Sequence, residues 1–314
     1  MVPGAGRALA PRTVCAWPTA ATVAVPRPIV GAPVDGPDPS LVFSVATFNA
    51  HAGVDGWGRP YDVVAACRLI DADMLVLEEN WAPDDGPSVA ARVADALGYE
   101  ARELALAGGR LAGPHPDADT RWMRPLDWRG KSHAIYLDSE LAFSEKVARS
   151  RRFCEAEPGR WGIAVLSRLP VVRTDALDLG RLARDRARRA ALAVTVGTAA
   201  EVTVVGTHMS HLTYGAPRQF LRLAAAVRGA LGAGPAVLAG DMNLWGPPVS
   251  LLLPGWRRTV RAKTWPAWRP HSQVDHVLVR GRLLVLGGTV LGTVGSDHLP
   301  LRVTLGMDGP EPST

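Results

Sequence analysis

The chain alternates between short, β-branched hydrophobic runs and longer segments in which hydrophobic residues recur at helical spacing. Val42–Phe48 is typical of the first kind, and Val89–Leu97, closed by Gly98, is typical of the second. Helical spacing also predicts helices over Tyr61–Ile70 and Pro217–Leu231. Further strands are predicted at Asp73–Leu77, Tyr99–Leu106, Ala134–Leu137, Ile163–Leu166, Arg189–Val196, Val202–Thr207, Ala236–Ala239, Val274–Val279, Leu283–Leu286 and Leu301–Thr304. Many strands with few long helices indicate an α+β or α/β sandwich rather than a helix bundle or an all-β barrel.

This pattern predicts one dense domain over residues 41–306. Residues 1–40 differ, because they contain eight prolines and no hydrophobic period. Such a segment cannot bury enough surface to offset its ordering entropy, so we predict a disordered tail there and another at 307–314. The alternative for the first tail is a secretory signal peptide, but Pro18 and Pro26 interrupt its only hydrophobic candidate. A cytoplasmic location is favoured over secretion.

No hydrophobic stretch reaches the ~20 residues of a membrane helix, so no transmembrane segment is predicted. The nearest candidate, Leu283–Val294, contains three glycines and is interpreted as strand, turn and strand. The three cysteines, at positions 15, 67 and 154, are scattered and match neither a disulfide framework nor a zinc site. They are expected to be reduced thiols.

The net charge is +5 and the pI about 9.5. A basic protein suits a phosphate-bearing partner. The basic residues are 32 arginines and only three lysines, however, which is typical of a GC-rich genome. Charge therefore agrees with a phosphate ligand but does not identify one.

Two basic segments receive separate interpretations. Residues 107–133 have weak periodicity and are a candidate substrate loop, in which Trp122, Arg124 and Trp128 are the candidate substrate-binding residues. A surface insertion is the alternative for this segment. The arginine-rich run Arg181–Arg189 is predicted to be solvent-exposed.

Polar side chains cluster where six of the predicted strands begin or end. The clusters are Phe48-Asn49, Leu77-Glu78-Glu79, Thr207-His208, Gly240-Asp241-Met242-Asn243, Val274-Asp275-His276 and Ser296-Asp297-His298. Strand ends aim side chains into a common mouth, which is where ligand sites gather in layered proteins. Carboxylates, amides and imidazoles without cysteine favour Mg²⁺ or Mn²⁺ over zinc. Such a set suits attack of water on phosphorus.

These six clusters, together with the Gly162–Arg168 stretch, resemble the motif series of the endonuclease/exonuclease/phosphatase superfamily. The resemblance extends over Leu41–Leu305 and is specific to the superfamily, not to a substrate. It implies the DNase I-like fold, a four-layered α/β/β/α sandwich in which helices flank two packed β-sheets. The active site is then expected at one end of the sheet pair.

The resemblance also implies the metal side of the site. Glu79 would be the principal Mg²⁺ (or Mn²⁺) ligand. Asn49 would orient the water network around the metal, and Asp297 would support the metal site.

The catalytic side is implied in the same way. Asp241 would position or deprotonate the attacking water, and Asn243 would bind a phosphate oxygen. His298, oriented by Asp275, would stabilise the transition state or act as an acid, and His208 would be a second imidazole on the phosphate side. No carboxylate partner for His208 is evident, and Glu155 and Glu157 are the candidates. Glu78 stands where the family usually has Gln.

The resulting hypothesis is a monomeric, Mg²⁺-dependent phosphodiester hydrolase of endonuclease or phosphodiesterase type. Its substrate would be a nucleic acid, a lipid headgroup or a small molecule, so a sphingomyelinase-like lipid phosphodiesterase is one alternative. A noncatalytic binding module of the same fold is the other. Because all six polar clusters are intact, the residues favour an enzyme.

Overall fold

The computed structural model describes residues 41–114, 134–141, 155–197, 201–212, 215–232 and 234–307. Within these residues the strands form two mixed sheets. The first has seven strands in the order β12-β13-β1-β2-β5-β3-β4. These strands are β1 (Leu41–Asn49), β2 (Met74–Pro83), β3 (Glu100–Leu111), β4 (Ile135–Leu137), β5 (Glu157–Ser167), β12 (Leu283–Val290) and β13 (Leu301–Met307).

The second sheet has six strands in the order β10-β11-β9-β8-β7-β6. They are β6 (Val171–Gly180), β7 (Arg189–Gly197), β8 (Glu201–His208), β9 (Ala236–Asp241), β10 (Arg257–Arg258) and β11 (Asp275–Arg280). Two neighbouring pairs, β1/β2 and β8/β9, run parallel, and the other ladders are antiparallel.

Helices cover the outer face of each sheet. The helices α1 (Val63–Ile70) and α2 (Val89–Leu97) pack on the first sheet, and α4 (Ala216–Leu231) and α5 (Gly246–Leu252) pack on the second. A short helix, α3 (Asp138–Leu141), follows β4. Gly98 closes α2 at the predicted position in a left-handed conformation, and Ser88 caps its other end, because the Ser88 hydroxyl accepts from the Ala91 N–H.

Three hydrophobic layers hold the four layers of backbone together. Strand β2 shows why its sequence is a continuous hydrophobic run: Met74 and Val76 face the other sheet, whereas Leu75 and Leu77 face α1 and α2. All four side chains are fully buried. The predicted α/β/β/α sandwich is thus confirmed.

Four details of the sequence prediction were wrong. Strand β6 was missed, since its outward positions are polar and exposed. Leu283–Val290 is one strand, because a bulge at Leu286 shifts the register and Gly287 and Gly288 stay paired with β13 where a turn was expected. Residues 107–111 of the expected substrate loop belong to β3, and β2 continues to Pro83.

Two expectations concern the membrane and the cysteines. Among the described residues, no helix is long and apolar enough to cross a membrane. Cys67 is a free, buried thiol on α1, and burial raises its pKa to about 12. Residues 1–40 and 308–314 of the predicted tails, and residues 115–133 with the candidates Trp122, Arg124 and Trp128, lie outside the described residues.

Candidate active site

The strand registers bring the predicted polar clusters to one end of the sandwich. Because β1 and β2 are parallel, Asn49 lies opposite Glu78. On the second sheet, His208 and Asp275 both lie opposite Asp241, one on each neighbouring strand. Gly240 allows this close approach, since a Cβ there would come within 1.8 Å of the Thr207 carbonyl oxygen.

Asn49 connects the two sheets. Its buried amide Nδ2 lies 3.3 Å from Glu79 Oε1 on the first sheet and 3.2 Å from Asp241 Oδ2 on the second. A bulge in β2 between Glu78 and Asn80 inserts Glu79 as an extra residue, and Glu79 has a left-handed φ of 53°. The bulge separates the directions of the two adjacent glutamates.

Glu78 does not join Glu79 in the site. It is fully buried, and its Oε1 accepts a hydrogen bond of 2.6 Å from the Thr47 hydroxyl. Its Oε2 has no hydrogen-bond partner among the described residues. Burial, and next the charge of Asp275, raise the pKa of Glu78 well above its ordinary value despite the Thr47 hydrogen bond.

His298 and Asp275 form a buried pair. His298 Nδ1 lies 3.1 and 3.0 Å from the two oxygens of Asp275. Its Nε2 lies 3.9 Å from Asp241 Oδ2. Ser296 anchors this loop, because its hydroxyl donates to the Asn49 carbonyl at 2.7 Å and accepts from the His298 N–H.

The pKa values of Asp241 and His298 are both raised, for different reasons. Burial and the negative charge of Asp275 raise the pKa of Asp241 to about 7, although His298 and the hydrogen bonds from Asn243 and Asn49 oppose the shift. Burial alone would lower the pKa of His298, but Asp275, Asp297 and Asp241 raise it well above its ordinary value. The site therefore holds a poised carboxyl beside an imidazole that favours its charged form.

Asp297 lies on the side of Asn49 and Glu79 and has two neighbours that sequence reasoning did not assign. Trp265 Nε1 donates to its Oδ2 at 3.3 Å, and His51 Nδ1 lies 4.0 Å from its Oδ1. Burial favours protonation of Asp297, but His51, His298 and the Trp265 N–H hold its pKa below the ordinary value. For His51 the effects are reversed: burial alone would lower its pKa, but the negative charges of Asp297 and Glu79 raise it.

His208 lies on the other side of Asp241 from Asp275, and its nearest polar side-chain neighbour is an amide. Its Nε2 is 3.1 Å from Asn243 Nδ2 and 3.6 Å from Asp241 Oδ2. The expected glutamate partner is absent among the described residues: His208 Nδ1 has no hydrogen-bond partner there, and Glu157 accepts from Trp81 instead. Burial and nearby positive charges, Arg189 first, hold the pKa of His208 well below its ordinary value.

Arg189 was expected in a solvent-exposed run, and this was wrong. It is 5% exposed, and its guanidinium donates to both carboxylate oxygens of Asp185 at 3.0 and 3.2 Å. It also donates to the His208 carbonyl at 3.1 Å and lies over the ring of Trp161. The four-residue spacing of Asp185 and Arg189 was the only available signal, and many exposed pairs share it.

Two groups of side chains are candidates for a cation site, one from the geometry and one from the sequence prediction. Asp241, Asp275 and His298 offer ligand atoms that all lie within 4.8 Å of one another. In that group, however, His298 Nδ1 already bonds Asp275, which leaves the group internally satisfied. The other group is the set predicted from the sequence, in which Glu79 and Asp297 are half-buried carboxylates of the kind that Mg²⁺ and Mn²⁺ prefer. Asn49 directs its amide nitrogen to Glu79, and its Oδ1 accepts from the His51 N–H at 3.0 Å.

Comparison with known proteins agrees with this geometry. Residues 46–298 match the sequence model of the Endonuclease/Exonuclease/phosphatase family. No curated protein sequence matches the chain.

Among solved structures, the chain is similar to an endonuclease/exonuclease/phosphatase from Beutenbergia cavernae (22% identity, 86% of this chain, 73% of that chain, TM-score 0.57). It is also similar to the catalytic domain of human Nocturnin with a bound sulfate anion (16% identity, 86% and 94% covered, TM-score 0.54). A mannosyl-6-phosphatase from Bacteroides thetaiotaomicron is a third (15% identity, 84% and 99% covered, TM-score 0.56). At these identities the structural likeness concerns the fold.

Proposed function

The chain belongs to the endonuclease/exonuclease/phosphatase family, and from this we propose that it is a Mg²⁺- or Mn²⁺-dependent phosphodiester hydrolase. The observation that carries the proposal is the position of Asp241. Its Oδ2 lies 3.2 Å from the Asn49 amide and 3.9 Å from His298 Nε2, while His298 is bound to Asp275. An imidazole that can act as an acid and an amide that reaches the metal side therefore meet at the carboxylate that would act as the base.

Asp241 supplies the base. General-base catalysis is most effective when the pKa of the base lies near the working pH, and burial together with Asp275 raises the pKa of Asp241 to about 7. The Asn243 N–H donates to Asp241 Oδ1 at 2.8 Å and so fixes the carboxylate plane. In this account Asp241 orients a water molecule and takes its proton during attack on phosphorus.

His298 supplies positive charge or a proton on the phosphate. The contact of Asp275 with Nδ1 orients the ring and raises its basicity, as a carboxylate partner does in other catalytic histidines. Nε2 is then the nitrogen that remains for the substrate. A charged imidazole there stabilises the charge that develops on the phosphoryl oxygens, or protonates the leaving oxygen.

Glu79, with Asn49 and Asp297, would hold the metal. The ion would neutralise charge on the phosphate and lower the pKa of bound water. Trp265 and His51 hold the Asp297 carboxylate in place and in its ionised form. His208 and Asn243 complete the opposite flank of the site.

The substrate class within this proposal is a phosphodiester of nucleic acid, lipid headgroup or small-molecule type. Trp122, Arg124 and Trp128 remain the proposed substrate-binding residues, and the active unit is proposed to be a monomer. One similar structure is named a mannosyl-6-phosphatase, so a phosphomonoester is the competing substrate class.

The test measures hydrolysis of bis-p-nitrophenyl phosphate and of p-nitrophenyl phosphate, each with Mg²⁺, with Mn²⁺ and with EDTA. Plasmid DNA and sphingomyelin vesicles are assayed in parallel. We expect metal-dependent cleavage of the diester that exceeds cleavage of the monoester. Glu79→Gln should raise the Mg²⁺ concentration needed for half-maximal rate, whereas Glu100→Gln, an exposed carboxylate paired with Arg102, should not.

Three results would contradict the proposal. Faster turnover of the monoester would make the enzyme a phosphatase. Full activity in EDTA would show that hydrolysis does not require a divalent metal. No turnover of any substrate, together with no thermal stabilisation by Mg²⁺ or Mn²⁺, would favour the noncatalytic binding module.

A further inference from the structure

The side-chain amide of Asn243 has a fixed orientation. Its Nδ2 lies 3.0 Å from the Met209 carbonyl oxygen and 3.1 Å from His208 Nε2. A carbonyl oxygen only accepts hydrogen bonds, so the amide nitrogen, and not the amide oxygen, must face Met209. Asn243 itself has a left-handed φ of 48°, a conformation that Asn tolerates, and its N–H donates to Asp241.

This orientation decides which proton His208 carries. The amide nitrogen has two hydrogens, of which Met209 takes one, so the second is directed to His208 Nε2. A nitrogen that accepts a hydrogen bond holds no proton of its own, and the proton of a neutral imidazole must then be on Nδ1. Asp241 Oδ2, at 3.6 Å from Nε2, lies farther than the amide and does not compete as an acceptor.

The other side of His208 is backed by a cation instead of a carboxylate. The Trp161 ring lies 5.2 Å from the His208 ring, and the Arg189 guanidinium lies 5.0 Å from the Trp161 ring centroid. Asp185, which is 2% exposed, binds Arg189 through both oxygens and also accepts from the Ser210 hydroxyl. Arg189 in turn donates to the His208 carbonyl. All of these side chains are buried.

We infer that His208 works as a neutral, Nδ1-protonated imidazole whose Nε2 accepts from the Asn243 amide, and that Arg189 is the positioning residue that keeps it so. The positive charges that face His208 come from Arg189, His298 and Arg186, and with burial they oppose its protonation. The negative charge within reach is Asp241. A carboxylate at the place of Arg189 would have the opposite effect, as Asp275 has on His298.

This arrangement assigns a different partner to Asn243, a step that rests on the proposed function. With the amide nitrogen used twice, Oδ1 is the polar side-chain atom of Asn243 without a partner among the described residues. An acceptor does not bind a phosphate oxygen, but it does bind a water O–H. His208 and Arg189 thus direct Asn243 toward the attacking water beside Asp241, and not toward the phosphate as the family resemblance implied.

The tautomer can be measured without any assay of activity. Protein labelled with ¹⁵N-histidine is observed in a two-bond ¹H–¹⁵N correlation spectrum near neutral pH, with the His208 signals assigned from their loss in His208→Gln. We expect a protonated-type Nδ1 and an unprotonated-type Nε2. An Nε2-protonated ring or an imidazolium would overturn the inference, whatever the enzyme turns out to hydrolyse.

Two substitutions test the causes. Asn243→Asp keeps the shape of the side chain but removes both amide hydrogens, so His208 should acquire a proton on Nε2. An unchanged His208 spectrum in that variant would show that the amide does not set the tautomer.

Arg189→Met tests the positioning role, with Arg188→Met as the matched control, because the neighbouring Arg188 is exposed and forms an ion pair with Asp178. Arg189→Met should change the His208 nitrogen shifts and lower kcat by about tenfold to a hundredfold with KM changed less than about twofold. Arg188→Met should change neither. If Arg189→Met does not fold, Arg189→Lys is the second variant. It keeps the positive charge but loses the paired hydrogen bonds of the guanidinium to Asp185, and it should also lower kcat. A folded Arg189 variant with wild-type shifts and kcat would overturn this role.

Discussion

His298 and His208 approach the same carboxylate oxygen of Asp241, at 3.9 and 3.6 Å, and differ in their other contacts. Asp275 binds His298 Nδ1 through both oxygens, and the pKa of His298 is raised. His208 Nδ1 has no hydrogen-bond partner among the described residues, the Arg189 cation lies over the Trp161 ring that neighbours it, and its pKa is lowered. Both rings are buried, so burial alone does not explain the difference.

Under the proposed function, the neighbouring charge, and not the residue type, decides what each histidine contributes to this site. A buried imidazole with a carboxylate on its far nitrogen becomes a charged group that can act on phosphate. A buried imidazole backed by arginine becomes a neutral acceptor that can only orient a neighbour. Asp241 lies between these two functions, and each of the following experiments changes one part of this arrangement.

The largest effect is expected from Asp241 itself, since both imidazoles and the Asn49 amide meet there. Asp241→Asn keeps the size of the side chain and removes the base. The value of kcat/KM on the diester should fall by about a thousandfold or more. Thermal unfolding should show that the variant is folded, and the exposed Asp175→Asn on β6 is the control. A loss below about tenfold would remove Asp241 from the base role.

Removal of the charge behind His298 should have the next largest effect. In Asp275→Asn the pKa of His298 should fall and its ring orientation should be less fixed. We expect a loss of about a hundredfold or more in kcat. The variant should also narrow the difference between the two histidines in the ¹⁵N spectrum. An unchanged His298 signal would contradict the role given to Asp275.

A third buried histidine, His276, serves as a contrast to His208 and His298, because its substitution should change the stability of the fold and not the rate of hydrolysis. Its Nε2 lies 2.9 Å from the Leu244 carbonyl oxygen, and burial lowers its pKa to about 4. The unfolded chain, with an ordinary value near 6.5, therefore binds this proton more readily than the folded protein. Neutral His276 therefore contributes its full share of the unfolding free energy above pH 6.5, and this contribution is lost as the pH falls toward 4.

The measurement for His276 is denaturant unfolding of the wild type and His276→Gln at two pH values. Between about pH 7.5 and about pH 5, the wild type should lose about 2 kcal/mol more of its unfolding free energy than the variant. Activity near pH 7.5 should change little. Equal losses in the two proteins would show that His276 is not held neutral by the fold.

Sequence alone predicted much of the fold, because local pattern and burial coincide there. Strand β1 and helix α2 were predicted within a residue or two, since a doubly buried strand is a continuous hydrophobic run and a helix carries its own caps. Strand β6 and the bulges in β2 and β12 were missed, because they depend on how a strand pairs with distant residues. The strand-end clusters pointed to the residues that the structure brings together around Asp241.

The partners of those residues were harder to predict. Asp275 was named for His298 through the family resemblance, and the structure places the two in contact. Within the run Arg181–Arg189 only the spacing from Asp185 separates the buried Arg189 from its exposed neighbour Arg188, and the packing against Trp161, from another part of the fold, cannot be read from the run itself. The roles of the site residues remain predictions until they are measured.

The most direct test of the central claim is a side-by-side measurement of kcat and KM for His298→Gln and His208→Gln on the diester, at saturating Mg²⁺. The account predicts a loss of about a thousandfold or more for His298→Gln, since it removes the charged group, and of about tenfold to a hundredfold for His208→Gln, which can still accept from Asn243. Equal losses, or a larger loss at His208, would contradict the division of labour around Asp241.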